Sequence, residues 1–160
     1  MKHILKFLLV FLVYPLTAFA DVKVLDGDSL IINDSEVRLI GVDAPEYRQI
    51  CFDEEEIIYD CSEEAKNALV EIINGGKIEC VKLGKDIYDR NLSECFTEEL
   101  NINIELLKSG WAVLYRSEEK TYVKAQREAR ENKRGLWRGR FMKPEFHRVL
   151  NRNKKDKNFL

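Results

Sequence analysis

The sequence predicts an α+β fold, mainly β, with five short strands, one helix inserted among them and two helices after them. Three observations carry this reading. β-Branched and aliphatic residues concentrate in short runs at Val22–Leu25, Ser29–Ile32, Val37–Val42, Lys77–Leu83 and Asn91–Phe96. Turn chemistry separates the early runs, at Asp26-Gly27 and at Asn33-Asp34-Ser35. Three other stretches space their apolar residues as a helix does.

The first third reads as a meander of strands that Pro45 ends. Residues 47–61 read as an irregular loop with Asp53-Glu54-Glu55-Glu56 in its middle and Cys51 and Cys61 as brackets. Ser62 is a candidate helix cap, with Glu63 and Glu64 in the first turn. Ala65, Ala68, Leu69, Ile72 and Ile73 form the apolar stripe, and Asn74-Gly75-Gly76 stops the helix. The two later strands flank a loop at Gly84–Arg90. A second helix covers Asn101–Ser109 and ends at Gly110, and Trp111–Tyr115 is a short apolar run. A third covers Thr121–Lys133, after which Gly135 stops it and Leu136-Trp137 tucks back onto the core. This order is what a small Greek-key barrel of the oligonucleotide-binding class, an OB-fold, looks like. Periodicity alone does not choose it over other α+β folds.

The first twenty residues read as a signal peptide. Lys2 and Lys6 precede an apolar run from Ile4 to Leu16, and Ala18-Phe19-Ala20 offers a cleavage site. A membrane anchor is the alternative, but the run falls short of the roughly 20 residues a span needs. Residues 21–140 then suit one compact domain, and residues 141–160 a frayed, basic tail. The expected destination is the periplasm or the medium.

Export makes the cysteines readable. Cys51, Cys61, Cys80 and Cys95 are even in number, and an oxidising compartment favours two disulfides. Of three possible pairings, Cys51–Cys61 and Cys80–Cys95 are preferred because each closes a local loop or hairpin. Cys80 facing Cys95 makes the two later strands antiparallel neighbours at a non-hydrogen-bonded pair. A four-cysteine zinc site is the rival, and no Cys-x-x-Cys spacing supports it.

The formal net charge of −2 hides an asymmetry. Residues 21–123 hold 11 Lys and Arg against 24 Asp and Glu, whereas residues 124–160 hold 13 against 4. A basic C-terminal third can draw a polyanion, although charged tails are commonly just solvated.

Two stretches carry candidate chemistry. The first is Asp26-Gly27-Asp28-Ser29 followed by Val37-Arg38-Leu39-Ile40-Gly41-Val42-Asp43-Ala44-Pro45-Glu46. The second is Tyr88-Asp89-Arg90. With Gly-Trp-Ala at 110–112 and Arg-Gly-Leu-Trp at 134–137, they resemble the staphylococcal nuclease (thermonuclease) family from about Val22 to Trp137. The resemblance implies a Ca²⁺-dependent endonuclease that hydrolyses DNA and RNA and leaves 3′-phosphates. It implies Asp28, Asp43 and the Ala44 carbonyl as calcium ligands, and Glu46 as general base or water-positioner. Arg38 and Arg90 match the family's phosphate-gripping arginines, and Tyr88 a tyrosine near the bound nucleotide. These types suit the reaction. A hard cation with oxygen ligands neutralises an anionic phosphodiester. Guanidinium forks meet the charge that grows on phosphate oxygens.

The chain departs from the family pattern at Asp89, where the family usually has glycine. That places a negative charge beside a phosphate-binding arginine and restricts a tight turn. Ile87 stands where the type member carries lysine. The acidic run Asp53–Glu56 reads as a solvated loop, with a second calcium site or a charge gate as the sharper alternative. Arg38 and Asp43 are five apart, so a straight strand would face them oppositely; both reach one site only if the strand bends, and Gly41 is the place for it. Two other functions compete. One is a non-catalytic OB-fold module that binds nucleic acid or protein. The other is a disulfide-stapled structural domain, which leaves the set Asp28, Arg38, Asp43, Glu46 and Arg90 unexplained. A monomer is expected.

Overall fold

The computed structural model describes residues 21–157 apart from residue 99. The expected signal peptide, residues 1–20, lies outside the described residues. Strands β1 (Val22–Val24), β2 (Ser29–Ile32) and β3 (Ser35–Leu39) form the expected antiparallel meander. Asn33 and Asp34, both with positive φ, make the tight turn between β2 and β3. The third predicted strand is broken: β3 stops at Leu39, and β4 (Val42–Asp43) resumes after a turn at Gly41.

The expected loop at 47–61 holds a small hairpin, β5 (Ile50–Phe52) and β6 (Ile58–Asp60). Asp53 makes its turn by accepting from the Glu55 and Ile57 N–H groups. Helix α1 (Cys61–Ile73) starts one residue before the predicted cap. Asp60, not Ser62, is its N-cap, accepting from the Ser62 and Glu63 N–H groups at 3.0 and 3.2 Å. Strands β7 (Ile78–Lys85) and β8 (Asn91–Thr97) pair antiparallel, with a bulge between Lys82 and Gly84 that carries β7 past its predicted end. A short β9 (Leu100–Asn101) returns along β8. The sheet order is β1-β2-β3-β8-β7, and the β3–β8 joint is parallel, with Val37 opposite Asn91. Three meander strands joined in parallel to a later hairpin give the five-stranded OB-type arrangement.

Helix α2 (Ile102–Ser109) is closed by Gly110 as predicted, and Asn101, expected as its first residue, is instead its N-cap. Strand β10 (Val113–Leu114) pairs with β4. Helix α3 (Lys120–Glu131) and a 3₁₀ turn at Gly135–Arg138 follow. A fourth helix, α4 (Pro144–Lys157), stands where a frayed tail was expected. Its few apolar residues (Phe146, Val149, Leu150) are exposed, so no buried stripe announces it. Pro144 supplies a favourable first position. Among the described residues no helix is long and apolar enough to cross a membrane.

One core joins sheet and helices: Leu30, Val37 and Leu39 from the meander, Leu69 from α1, and Ile102 and Leu106 from α2. Gly110 and Gly135 bring two backbones into contact, with the Leu136 N–H donating to the Gly110 carbonyl at 3.0 Å. A Cβ on Gly110 would stand 2.2 Å from the Arg134 carbonyl oxygen, so this crossing needs glycine. The predicted disulfides are both present, Cys51–Cys61 and Cys80–Cys95, and no cysteine is free among the described residues. Cys80 lies directly opposite Cys95, Cα to Cα 4.1 Å, and the Cys95 N–H donates to Asn103 instead of to β7. That is the non-hydrogen-bonded pair expected. Each cross-link closes a loop of 10 or 15 residues, a constraint worth about 3 kcal/mol by chain entropy.

Candidate active site

Strand register builds the site. Ser29 lies opposite Arg38, which brings the preceding Asp28 beside the Arg38 side chain. The Leu39 N–H donates to the Asp28 carbonyl at 2.9 Å. Gly41, at φ +77°, turns the chain and returns Asp43 to the side that Arg38 occupies. The odd Arg38–Asp43 spacing is reconciled by the bend foreseen there. A Cβ on Gly41 would also meet the Tyr122 ring at 2.7 Å, so α3 packs on the bend itself.

Asp28 and Asp43 are 2% and 1% exposed. One guanidinium joins them. Arg38 Nη1 donates to Asp28 Oδ1, and Nη2 donates to Asp43 Oδ1 at 2.9 Å. The Ala44 N–H donates to Asp28 Oδ2 at 2.6 Å. A second guanidinium enters from α4. Arg148 Nη1 donates to Asp43 Oδ1 at 2.7 Å and Nη2 to Asp43 Oδ2 at 3.1 Å. Arg148 Nη1 also donates to Glu46 Oε1. Buried charges persist only when paired and hydrogen-bonded, and this cluster meets that condition. Burial pulls the Arg38 pKa below the usual arginine value, against Asp43 and Asp26, which raise it. Burial works the same way on Arg148, but its hydrogen bonds to Asp43 and Glu46 prevail and raise it.

Arg90 and Tyr88 occupy a neighbouring cleft beside Glu36. Arg90 Nε donates to Asp86 Oδ2 at 2.7 Å, and its Nη1 lies 3.7 Å from Glu36. Its guanidinium stands 5.7 Å from the Tyr88 ring centre. Arg90 is not hydrogen-bonded to the Asp28–Asp43 pair, yet its charge is among those that lower the Arg38 pKa. Asp89 takes φ +66°, a conformation that aspartate tolerates better than most residues. Its carboxylate accepts from Lys85 Nζ at 2.5 Å. The turn therefore accepts aspartate in place of glycine in its backbone, with Lys85 beside the added charge.

Asp86 organises that turn, and sequence reasoning did not single it out. Its Oδ1 accepts from the Tyr88 and Arg90 N–H groups at 2.9 and 3.0 Å. Burial alone would raise its pKa, but the hydrogen bonds from Arg90 and Tyr88 hold it below the ordinary 3.8. A depressed carboxylate stabilises the fold above its unfolded value, and that contribution is lost as pH falls through the lower folded value. Asp86→Ala is therefore expected to speed amide exchange at Tyr88 and Arg90 about tenfold at neutral pH, a loss of about 1.4 kcal/mol. The wild type should loosen there only in acid. Unchanged exchange in the variant would dismiss Asp86 as the anchor.

Comparison with known proteins decides the family. Residues 36–139 match the family described as "Staphylococcal nuclease homologue". The chain belongs to the staphylococcal nuclease family. It is 36% identical over 119 residues to "Succinoglycan biosynthesis protein ExoI" of Rhizobium meliloti, covering 72% of this chain and 62% of that one. It is 32% identical over 123 residues to an "Uncharacterized endonuclease" of Haemophilus influenzae, covering 72% and 64%. It is 28% identical over 123 residues to an "Uncharacterized endonuclease" of Escherichia coli, covering 72% and 74%. The chain thus spans a little under two thirds of the first two relatives.

Two members of the carboxylate–arginine cluster lie outside the family-matched residues. Asp28 precedes them and was found from its Asp-Gly-Asp-Ser motif. Arg148 follows them and was missed, because it is one of many basic residues in the C-terminal third. Tyr115, whose ring centre lies 5.7 Å from the Arg148 guanidinium, was missed for want of a motif. The acidic run forms the turn of the β5–β6 hairpin, where Asp53 accepts from backbone N–H groups and Glu56 pairs with Arg140.

Proposed function

We propose that this chain is an exported, monomeric, Ca²⁺-dependent endonuclease that hydrolyses phosphodiester bonds of DNA and RNA. One observation carries the reading: Arg38 joins Asp28 to Asp43, and Arg148 joins Asp43 to Glu46, so the three carboxylates of the nuclease motif stand in one hydrogen-bonded cluster. The relatives named endonucleases support the reaction class. The two disulfides support export, with residues 1–20 as the signal, residues 21–140 as the nuclease domain and residues 141–160 as its basic extension.

The donor set fits a hard divalent cation. Asp28 and Asp43 offer only oxygens, are almost wholly buried, and converge on one guanidinium. Among the described residues no group of three or more acidic, histidine or cysteine side chains could hold an ion alone. Backbone oxygen, for which Ala44 is the candidate, and water or substrate must complete the shell. Held by these oxygens, a calcium ion would supply the positive charge that neutralises the phosphodiester and polarises it towards attack. Glu46, at the edge of the cluster, orients or deprotonates the attacking water. Arg38 and Arg90 present planar forks to the phosphate oxygens as charge grows on them. Tyr88, exposed beside Arg90, offers its ring to a nucleotide.

Cleavage of fluorescent DNA and RNA by the purified protein, with calcium and with a chelator, tests this. Activity is expected with calcium and is expected to vanish in the chelator, in Arg90→Ala and in Glu46→Ala. Full activity in the chelator would remove the metal from the mechanism. Strand binding without cleavage in calcium would replace the enzyme with a binding module.

A further inference from the structure

We infer that Arg148 is a positioning residue that holds Glu46 against the buried carboxylates, and that the C-terminal segment 139–148 is the strap that delivers it. The inference rests on the nuclease reading above for what Glu46 does, but not for the contact itself. Two carboxylates placed side by side repel, and Glu46 begins a loop with little to fix its side chain. Arg148 is the side-chain partner of the Glu46 carboxylate among the described residues. The same guanidinium forms two parallel bonds to Asp43, which is 1% exposed. A bidentate grip on a buried carboxylate is rigid and worth far more than a surface pair. Glu46 is thereby tied to a fixed point.

The strap is fastened along its length to the loop that carries Glu46. Phe52 and Arg140 exchange two backbone hydrogen bonds of 2.9 Å. Gln49 is fully buried, donates to the Met142 carbonyl at 2.7 Å and accepts from the Glu46 N–H at 3.0 Å. Just ahead of the strap, Arg138 stacks over Tyr59 at 4.4 Å. Gly139 passes so close to the loop that a Cβ there would stand 2.1 Å from the Phe52 carbonyl oxygen. These contacts set where α4 begins, and the Tyr115 ring lies beside the Arg148 guanidinium. A cation delivered this way restrains the partly exposed Glu46 carboxylate in one place.

Steady-state cleavage and amide exchange on the full chain test the inference together. Arg148→Ala is expected to lower kcat about 50-fold with KM changed less than about threefold, because a group acting through the general base affects the chemical step. Arg148→Lys is expected to recover about fivefold of the loss, since lysine keeps the charge without the fork. Exchange at Gln49 to Phe52 is expected to quicken about tenfold in Arg148→Ala, with the Leu106–Leu107 amides unchanged. A loss confined to KM would make Arg148 a substrate-gripping group and overturn the inference. So would wild-type kcat in Arg148→Ala, or unchanged exchange in the loop. If the wild type cleaves nothing in calcium, the nuclease reading falls, while the exchange measurement still decides whether Arg148 holds the loop.

Discussion

Arg38→Ala is expected to cost about 3–5 kcal/mol of folding stability in the absence of calcium, because it leaves a buried carboxylate without its counter-charge. The cost falls unevenly. Asp43 keeps both bonds from Arg148. Asp28 keeps only the Ala44 N–H at 2.6 Å and a long bond from Ser29 Oγ at 3.3 Å. Neither is a cation. If Asp28 and Asp43 are the calcium ligands, a bound ion supplies the missing charge, and the deficit should shrink in millimolar calcium through ligand linkage. Urea unfolding of wild type and variant, each with calcium and with chelator, measures this. An identical deficit in both conditions would show that these carboxylates take no cation. Cleavage should fall about 10²–10³-fold in calcium, the scale for losing one charge-stabilising donor from a reacting site.

Gly110→Val is expected to destabilise the protein by more than about 4 kcal/mol, among the larger single-residue effects. Two costs add. The residue sits at φ +79°, where a β-branched side chain is strained. Its Cβ would also overlap the Arg134 carbonyl at 2.2 Å and the carbonyl carbon at 2.7 Å, atoms of a backbone that cannot rotate aside. Parting the chains there breaks the Leu136–Gly110 hydrogen bond and lifts Leu136, which is fully buried. Gly75→Ala is the control. Gly75 has φ +66°, but nothing lies within 4 Å of its Cβ direction. It should cost only about 1 kcal/mol for the left-handed conformation. Equal losses at the two positions, by thermal or urea unfolding, would refute the crowding argument.

The meander, α1, α2, α3 and both disulfides were legible because each announces itself locally. Alternation, a stripe, a cap or a short cysteine spacing suffices. Asp28, Arg38, Asp43 and Glu46 were legible as a motif, and the bend that unites them followed from the parity of their spacing. The β5–β6 hairpin was not, because Asp53 and its acidic neighbours read as solvated loop, and the turn depends on the Asp53 side chain bonding its own backbone. The cap of α1 was misplaced because Asp60 and Ser62 are both good capping residues, and Asp60 won both N–H groups. Helix α4 and Arg148 were invisible for a different reason. Their anchoring contacts join residues about a hundred apart in sequence, and a basic run gives no sign of which arginine is taken. Asp86 belongs with them: only the folded turn reveals that one carboxylate gathers two N–H groups and Arg90.

The parallel joint between β3 and β8 bears on how the protein assembles. Val37 meets Asn91 across β4, the β5–β6 hairpin, α1 and β7, so closing the barrel needs a contact of high sequence separation, which forms more slowly than a local hairpin. Neither disulfide spans it. Cys80–Cys95 lies within the β7–β8 hairpin, and Cys51–Cys61 ties the β5–β6 hairpin to the start of α1. Oxidation and barrel closure are therefore separable events. Each covalent staple can form within its own short stretch of chain, before distant segments meet, and neither locks the two halves of the barrel in a wrong arrangement.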